Sequence, residues 1–288
     1  MVNRTSASAT FLDYGWQDID AFQKVSNTKI LPWKWICSIH ASFPKPVYKL
    51  TMPHSRQPKT EIFGSGVLIS PRHVLTVAHN ILGLDPKNLL IKAEQIKVSP
   101  GRNDDKFISY PFRTIKHLKF YYRQELNALA LATTAKGARF DLALIELRRS
   151  PGNRKKLGWW SKKTGSFIKS VTPSFRSLLK TRKVNIAGYP FSKDPDFTNQ
   201  LTPAGLLYHD FDSVYNLYPN MLTYNAWSDA GMSGGPVWIY DKHLGKRHLI
   251  GVHQGRDLLD SGKGQGVLLR PKFIKWLQEK TNNSISVS

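Results

Sequence analysis

Cysteine is almost absent. Cys37 stands alone in 288 residues, so the chain can close no disulfide within itself and does not resemble a small stapled extracellular domain. Acidic residues are scarce too: Lys plus Arg number 42 against 20 Asp plus Glu, a formal charge of +22. The surface must therefore be positive over most of its area, a field that draws anionic partners, weakens with salt and says nothing about fold. On charge alone nucleic acid, an anionic membrane and an acidic polypeptide are all admissible partners. No apolar run approaches the roughly 18 residues of a membrane span, and the stretch Met1 to Asp18 has no apolar segment after a basic one, as a cleaved secretory leader would. A soluble protein folding in a reducing compartment is the simplest expectation, with export by a leaderless route left open. No internal repeat is visible, which sets aside solenoids and propellers.

What is present is a succession of short apolar runs broken by Pro, Gly and Lys turns, enough at 41% apolar residues for a full core. Residues 1–30 are polar and weakly periodic and read as an arm or a pro-segment. From Trp33 onward the texture is that of strands, as at Trp35 to His40, Gly64 to Pro71, Leu89 to Val98, Phe107 to Phe120, Val184 to Pro190 and Leu249 to His253. Gln124 to Ala138 reads as a short helix or an extended loop. Pro271 to Lys280 reads as a helix, with proline in its first turn and Phe273, Ile274 and Leu277 on one face; the residues after Asn282 read as a loose tail. Many short strands with one late helix fit an all-β chain of two packed β-barrels. The expected layout is a domain over 31–280, with a first barrel at about 31–150, a second at about 165–270, the helix at 271–280 and a tail at 281–288.

Three stretches carry chemistry. Ser228 to Trp238 reads SDAGMSGGPVW, a serine between glycines with Pro236 closing the turn. Such a bend leaves one hydroxyl clear and lets backbone N–H groups converge, the arrangement of an acyl-transfer nucleophile. Ser233 is the candidate nucleophile, and the N–H groups of Gly231 and Ser233 are candidate oxyanion donors. His73 to Asn80 reads HVLTVAHN, an apolar strand running into His79, which would place an imidazole at a strand end facing a cleft. Arg139 to Leu147 puts Asp141 just before an alternating apolar strand, where a carboxylate can accept a hydrogen bond from imidazole Nδ1–H. Separately, residues 154–183 hold ten Lys or Arg and no acid, interleaved with Trp159, Trp160, Phe167 and Phe175. Two readings stand for that stretch: phosphate contacts with base stacking, or a solvated linker whose aromatics cover the core.

The order His79, Asp141, Ser233 resembles that of the trypsin-like serine peptidases, and the strings GSGVLISPRHVLTVAHN, DLALIEL, PGNRKKLGWW, NIAGYP, SDAGMSGGPVW and LIGVHQG are similar to their glutamyl endopeptidase branch over roughly residues 35 to 277. The resemblance implies a chymotrypsin-like fold, two six-stranded antiparallel β-barrels with a C-terminal α-helix. It implies a serine endopeptidase that needs no metal or cofactor and acts on a polypeptide substrate. His79 would be the base, Asp141 its orienter, Ser233 the nucleophile, and Gly231 and Ser233 the oxyanion hole. Ser228 and His253 match positions where that branch meets an acidic side chain, and Arg256 is a third candidate there, so a preference for an acidic residue on the acyl side is a subsidiary expectation. Asp229 beside that pocket argues against it. Met232 stands where trypsin carries the acid that pairs with a freed N-terminus, and Trp227 where trypsin carries its pocket acid, so neither that maturation nor that basic specificity is expected. Gly235, where the branch often has serine, reads as neutral. The competing reading is a catalytically silent barrel that binds nucleic acid or anionic membrane through its basic surface. An esterase sharing the same chemistry is a third.

Overall fold

The computed structural model describes residues 23–50, 58–103, 115–126, 135–152, 157–190, 205–256 and 263–288. A two-residue strand, β1 (Gln23–Lys24), opens the described chain. The first barrel follows: β2 (Ile36–Lys49), β3 (Lys59–Leu68), β4 (His73–Thr76), a side hairpin of β5 (Leu82–Leu84) and β6 (Leu90–Lys92), then β7 (Gln95–Pro100), β8 (Ile115–Tyr122) and β9 (Ala143–Leu147). Six of these pair antiparallel in the order β3-β4-β9-β8-β7-β2, and β2 pairs back onto β3 to close the ring. Closure removes the sheet edges and forces inward and outward side chains to alternate. In β7, Ile96 and Val98 are fully buried while Gln95 and Lys97 are not.

The second barrel is built from β11 (Lys183–Gly188), β12 (Tyr208–Leu217), β13 (Met221–Tyr224), β14 (Pro236–Asp241), β15 (Lys246–Arg256) and β16 (Gly264–Leu268), preceded by a short outer strand, β10 (Ser166–Ile168), that runs parallel to β15. The ring order is β12-β11-β14-β15-β16-β13, closed by β12 on β13. Its interior is a separate apolar cluster that includes Val184, Ile186, Leu222, Val237, Ile239 and Ile250. A larger cluster fills the first barrel and continues between the barrels, where Trp160 meets Trp35 and Trp238 edge to face. Each such fully buried aliphatic side chain contributes about 1.5–3 kcal/mol relative to exposure. The expected pair of six-stranded barrels is thus what the chain builds.

The α-helices that lie wholly within the described residues are α1 (Ala135–Ala138), α2 (Pro173–Leu179) and α3 (Pro271–Lys280). In α3 the expected face of Phe273, Ile274 and Leu277 is buried, with Trp276 beside it, and Phe273 packs edge to face on Phe140 of the first barrel. The helix from the far end of the chain therefore straps the barrel at the start.

Several local expectations change. The tail is not loose: Ile168 N–H donates to Ser286, Ser288 N–H donates to Ile168, and Ile285 is buried, so it extends the edge beside β10. The arm is docked where it is described, with Gln23 and Lys24 paired to β12 and Val25 and Thr28 buried. Leu89 to Val98 is two strands, β6 and β7, and the strand expected around Gly205 to Tyr208 is β12, which begins at Tyr208 and runs ten residues, to Leu217. Of Phe107 to Phe120 and Gln124 to Ala138, residues 107–114 and 127–134 lie outside the described part. The basic stretch from 157 to 183 is a folded strap, with Thr172 Oγ1 capping α2 by accepting from Phe175 N–H. Trp160 is fully buried and donates its indole N–H to the Phe167 carbonyl, and Phe167 stacks on His248. Its aromatics are thus engaged by the protein, which removes the basis for stacking on nucleic-acid bases.

Candidate active site

The register of the first barrel brings two distant residues together. In the antiparallel pair β4 and β9, Thr76 faces Ala143, so the chain leaving β4 and the chain entering β9 lie side by side. Three residues beyond Thr76 is His79, in the 3-10 turn Ala78–Asn80; two before Ala143 is Asp141. His79 Nδ1 lies 2.6 Å from Asp141 Oδ2, and the His79 backbone N–H donates to Asp141 Oδ1 at 3.0 Å. One carboxylate thus fixes both the ring and the main chain of the histidine. With Nδ1–H donating to Asp141, the lone pair falls on Nε2.

A residue that sequence reasoning passed over completes this corner. Gln254 Nε2 donates to Asp141 Oδ2 at 3.0 Å and to the Ala138 carbonyl at 3.3 Å. Asp141 is fully buried, and burial alone would raise its pKa; the charge of His79 and the hydrogen bonds from His79 and Gln254 outweigh that and hold it below its ordinary value. The only signal in the sequence was adjacency: Gln254 follows His253 in a strand, so the two side chains leave on opposite sides.

Ser233 sits in the loop before β14. Gly231 (φ 95°) and Gly234 (φ 88°) take left-handed backbone that other residues resist. Gly234 N–H donates to the His253 carbonyl, His253 N–H to Gly235, and Gly235 N–H to Met232, which ties the loop to β15. At Gly235 a Cβ would lie 1.9 Å from the Ala187 carbonyl, so this position admits no side chain, a correction to its reading as neutral. Ser233 Oγ donates to the Gln254 carbonyl at 2.9 Å, turned to β15 and not hydrogen-bonded to His79. Among the described residues the N–H groups of Gly231 and Ser233 have no acceptor. Met232 is fully buried in the second-barrel core.

His253 is fully buried. Burial and the charge of His79 push its pKa down to about 3, against a smaller opposing effect of the Gln265 backbone. Its Nδ1 lies 2.6 Å from Tyr224 Oη, which also reaches the Gln265 carbonyl at 3.2 Å, and its Nε2 is buried without a partner. Ser228 is buried, with no hydrogen bond to His253 among the described residues. Asp229 turns its carboxylate onto Ala230 N–H, so it is engaged within its own loop. Arg256 ends β15 opposite Gly264; its side chain lies outside the described part.

Acid should unfold this arrangement. His253 and His209, whose burial beside Trp33 lowers its pKa to about 4, are held neutral below their ordinary value of 6.5. A depressed folded pKa contributes stability in full above the unfolded value and loses it as pH falls toward the folded value. Stability is therefore expected to drop from about pH 6.5 down to pH 4 by about 3 kcal/mol for His209 alone. Thermal melts across that range check this, and His209→Gln should flatten the decline.

Comparison with known proteins gives a consistent picture. The profile described as Trypsin-like peptidase domain matches residues 64–246. No curated protein sequence is significantly similar to the chain. Among solved structures, a Glu endopeptidase in complex with MPD is similar at 19% identity and a TM-score of 0.63, over 92% of this chain and 98% of that one. The protease Anisep from Arthrobacter nicotinovorans is similar at 13% identity and TM-score 0.58, over 90% and 98%. An HL collagenase is similar at 14% identity and TM-score 0.59, over 92% and 99%.

Proposed function

The chain belongs to the trypsin-like peptidase domain family and is a serine endopeptidase, and on that premise we propose that it cleaves peptide bonds with His79, Asp141 and Ser233. The observation that carries this reading is the buried 2.6 Å contact between His79 Nδ1 and Asp141, which leaves Nε2 as a base. In the reactive arrangement the Ser233 hydroxyl leaves the Gln254 carbonyl and donates to His79 Nε2. As the oxygen attacks the scissile carbonyl its proton passes to Nε2, and the oxyanion is met by the N–H groups of Gly231 and Ser233, each worth roughly 2.7–4 kcal/mol in the transition state. Asp141 steadies the imidazolium without taking its proton. His79 then protonates the leaving amine, and water, deprotonated by the same imidazole, hydrolyses the acyl-enzyme. Gln254 keeps the carboxylate of Asp141 aligned throughout.

The substrate is a polypeptide, and we infer a preference for an acidic residue on the acyl side. A buried polar atom without a partner costs about 1–3 kcal/mol, so the bare Nε2 of His253 favours a substrate group that completes it. In the tautomer of His253 whose proton is on Nε2, Nδ1 accepts from Tyr224 Oη and Nε2–H is a donor, which suits a carboxylate; Ser228 and Arg256 are the further candidates to meet it. The expected result is that cuts in a denatured protein mixture, read by mass spectrometry, fall after Glu or Asp. His253→Ala should lower kcat/KM on such sites by about 10–100-fold, the range of a charge-assisted hydrogen bond. Cuts mainly after Lys or Arg would overturn the acidic pocket while leaving the proposed triad standing.

A further inference from the structure

The first barrel also reaches under the nucleophile loop. Ser65 in β3, Thr76 at the end of β4 and Asn80 in the turn after it are all fully buried. The carbonyl of Ser233 accepts from two of them, Ser65 N–H at 2.8 Å and Asn80 Nδ2 at 2.7 Å. Ser65 Oγ donates to the carbonyl of Gly231 at 2.9 Å while accepting from Tyr189 N–H at 2.8 Å. The Met232 carbonyl between them accepts from Gly235 N–H within the loop, so three successive carbonyls, Gly231, Met232 and Ser233, are held, the outer two by the first barrel.

The Ser233 N–H shares its peptide plane with the Met232 carbonyl, and the planes on either side of it, which carry the Gly231 and Ser233 carbonyls, are the ones that Ser65 and Asn80 hold. The loop has glycine on both sides of the serine and would otherwise flip at little cost. We propose that Asn80 and Ser65 are positioning residues, a polar clamp that holds the peptide planes on either side of the Ser233 N–H and so sets that donor and the nucleophile in register with His79. This rests on the reading of Ser233 as nucleophile and adds to it what holds that nucleophile in place.

Two features indicate that the clamp is kept for its donors. Asn80 Oδ1 is buried with no partner, while Nδ2 reaches Ser233, Thr76 Oγ1 at 3.0 Å and the Ser65 carbonyl at 3.4 Å. An amide that leaves its acceptor end unpaired is retained for the other end. The surroundings are also cut to it: a Cβ at Gly64 would lie 2.3 Å from the Asn80 amide nitrogen, and one at Gly234 would lie 2.1 Å from both the Ser65 carbonyl and Thr76 Oγ1. Because Asn80 follows His79 directly, one dipeptide carries the base and grips the nucleophile's main chain across the gap between barrels.

The test compares wild type with Asn80→Ala and Ser65→Ala on a peptide substrate, a peptidyl boronate that mimics the tetrahedral adduct, and a fluorophosphonate probe. Displacing the loop by a fraction of an ångström should lower kcat by up to about 10²-fold, with KM within about threefold. Boronate affinity should fall in parallel with kcat/KM, and the probe should still label Ser233, more slowly. Folded variants that keep kcat within about threefold of wild type, or lose kcat with boronate affinity intact, would overturn the clamp. If Asn80→Ala does not fold, Ser65→Ala, which removes one oxygen atom, decides by the same criteria. Failure of the underlying reading is distinct: wild type would then carry no label on Ser233.

Discussion

Ser233→Ala is expected to reduce kcat by about 10⁶-fold, the loss seen when a triad serine is removed elsewhere, while substrate still binds and the protein melts as before. The structural cost is small because one oxygen atom is removed from a side chain whose hydrogen bond among the described residues is to the Gln254 carbonyl. The loop is held by its backbone, through Ser65, Asn80 and β15, and none of those contacts uses the serine hydroxyl. KM should therefore change little and the deficit should sit in kcat. A fluorophosphonate probe gives the independent check: it should label wild type at Ser233 and fail on Ser233→Ala and His79→Ala. Hydrolysis at the wild-type rate by purified Ser233→Ala would remove Ser233 from the chemistry.

Asp141→Asn should reduce kcat by about 10⁴-fold, as the corresponding change does in another Ser-His-Asp enzyme. The physical reason lies in the number of donors that converge on one carboxylate. Asp141 accepts from His79 N–H, from His79 Nδ1–H and from Gln254 Nε2. An asparagine keeps the shape but can accept at only one atom, so its NH₂ group meets a donor or turns the imidazole to the tautomer with the proton on Nε2. That tautomer cannot accept the proton of Ser233. The site is fully buried, so water cannot repair the mismatch, and some stability is lost as well. Measuring kcat and KM for Asp141→Asn, with the imidazole ¹⁵N shifts as a readout of tautomer, checks this. A variant that retains wild-type kcat, or loses it with the His79 tautomer unchanged, would count against the assigned role.

Much of the site was legible because its chemistry is local in the chain. Ser233 is announced by the glycines around it and by Pro236; His79 and Asp141 each adjoin a short apolar strand that is buried throughout. The two barrels were legible from strand punctuation, and α3 from the spacing of its apolar residues. Gln254, Tyr224, Asn80 and Ser65 were not, since each is an ordinary polar residue whose role is defined by what lies opposite. Ser65 and the Ser233 carbonyl are separated by 168 positions, a distance no periodicity spans. Of β12 only the start at Tyr208 was legible, since His209, Asp210, Asp212, Ser213 and Asn216 interrupt the apolar run, and the tail was not because its attachment to Ile168 is by backbone.

The residues alone determine which groups are available: a serine hydroxyl on a glycine turn, an imidazole and a carboxylate at strand ends, and a strongly positive chain unable to form an internal disulfide. Burial and register, which exist only once both barrels close, decide the rest. They keep Asp141 ionised away from water, hold His253 neutral, and direct a first-barrel asparagine onto a second-barrel carbonyl. Composition and local pattern act over a few residues, whereas desolvation and hydrogen-bond geometry depend on every strand packed around the group.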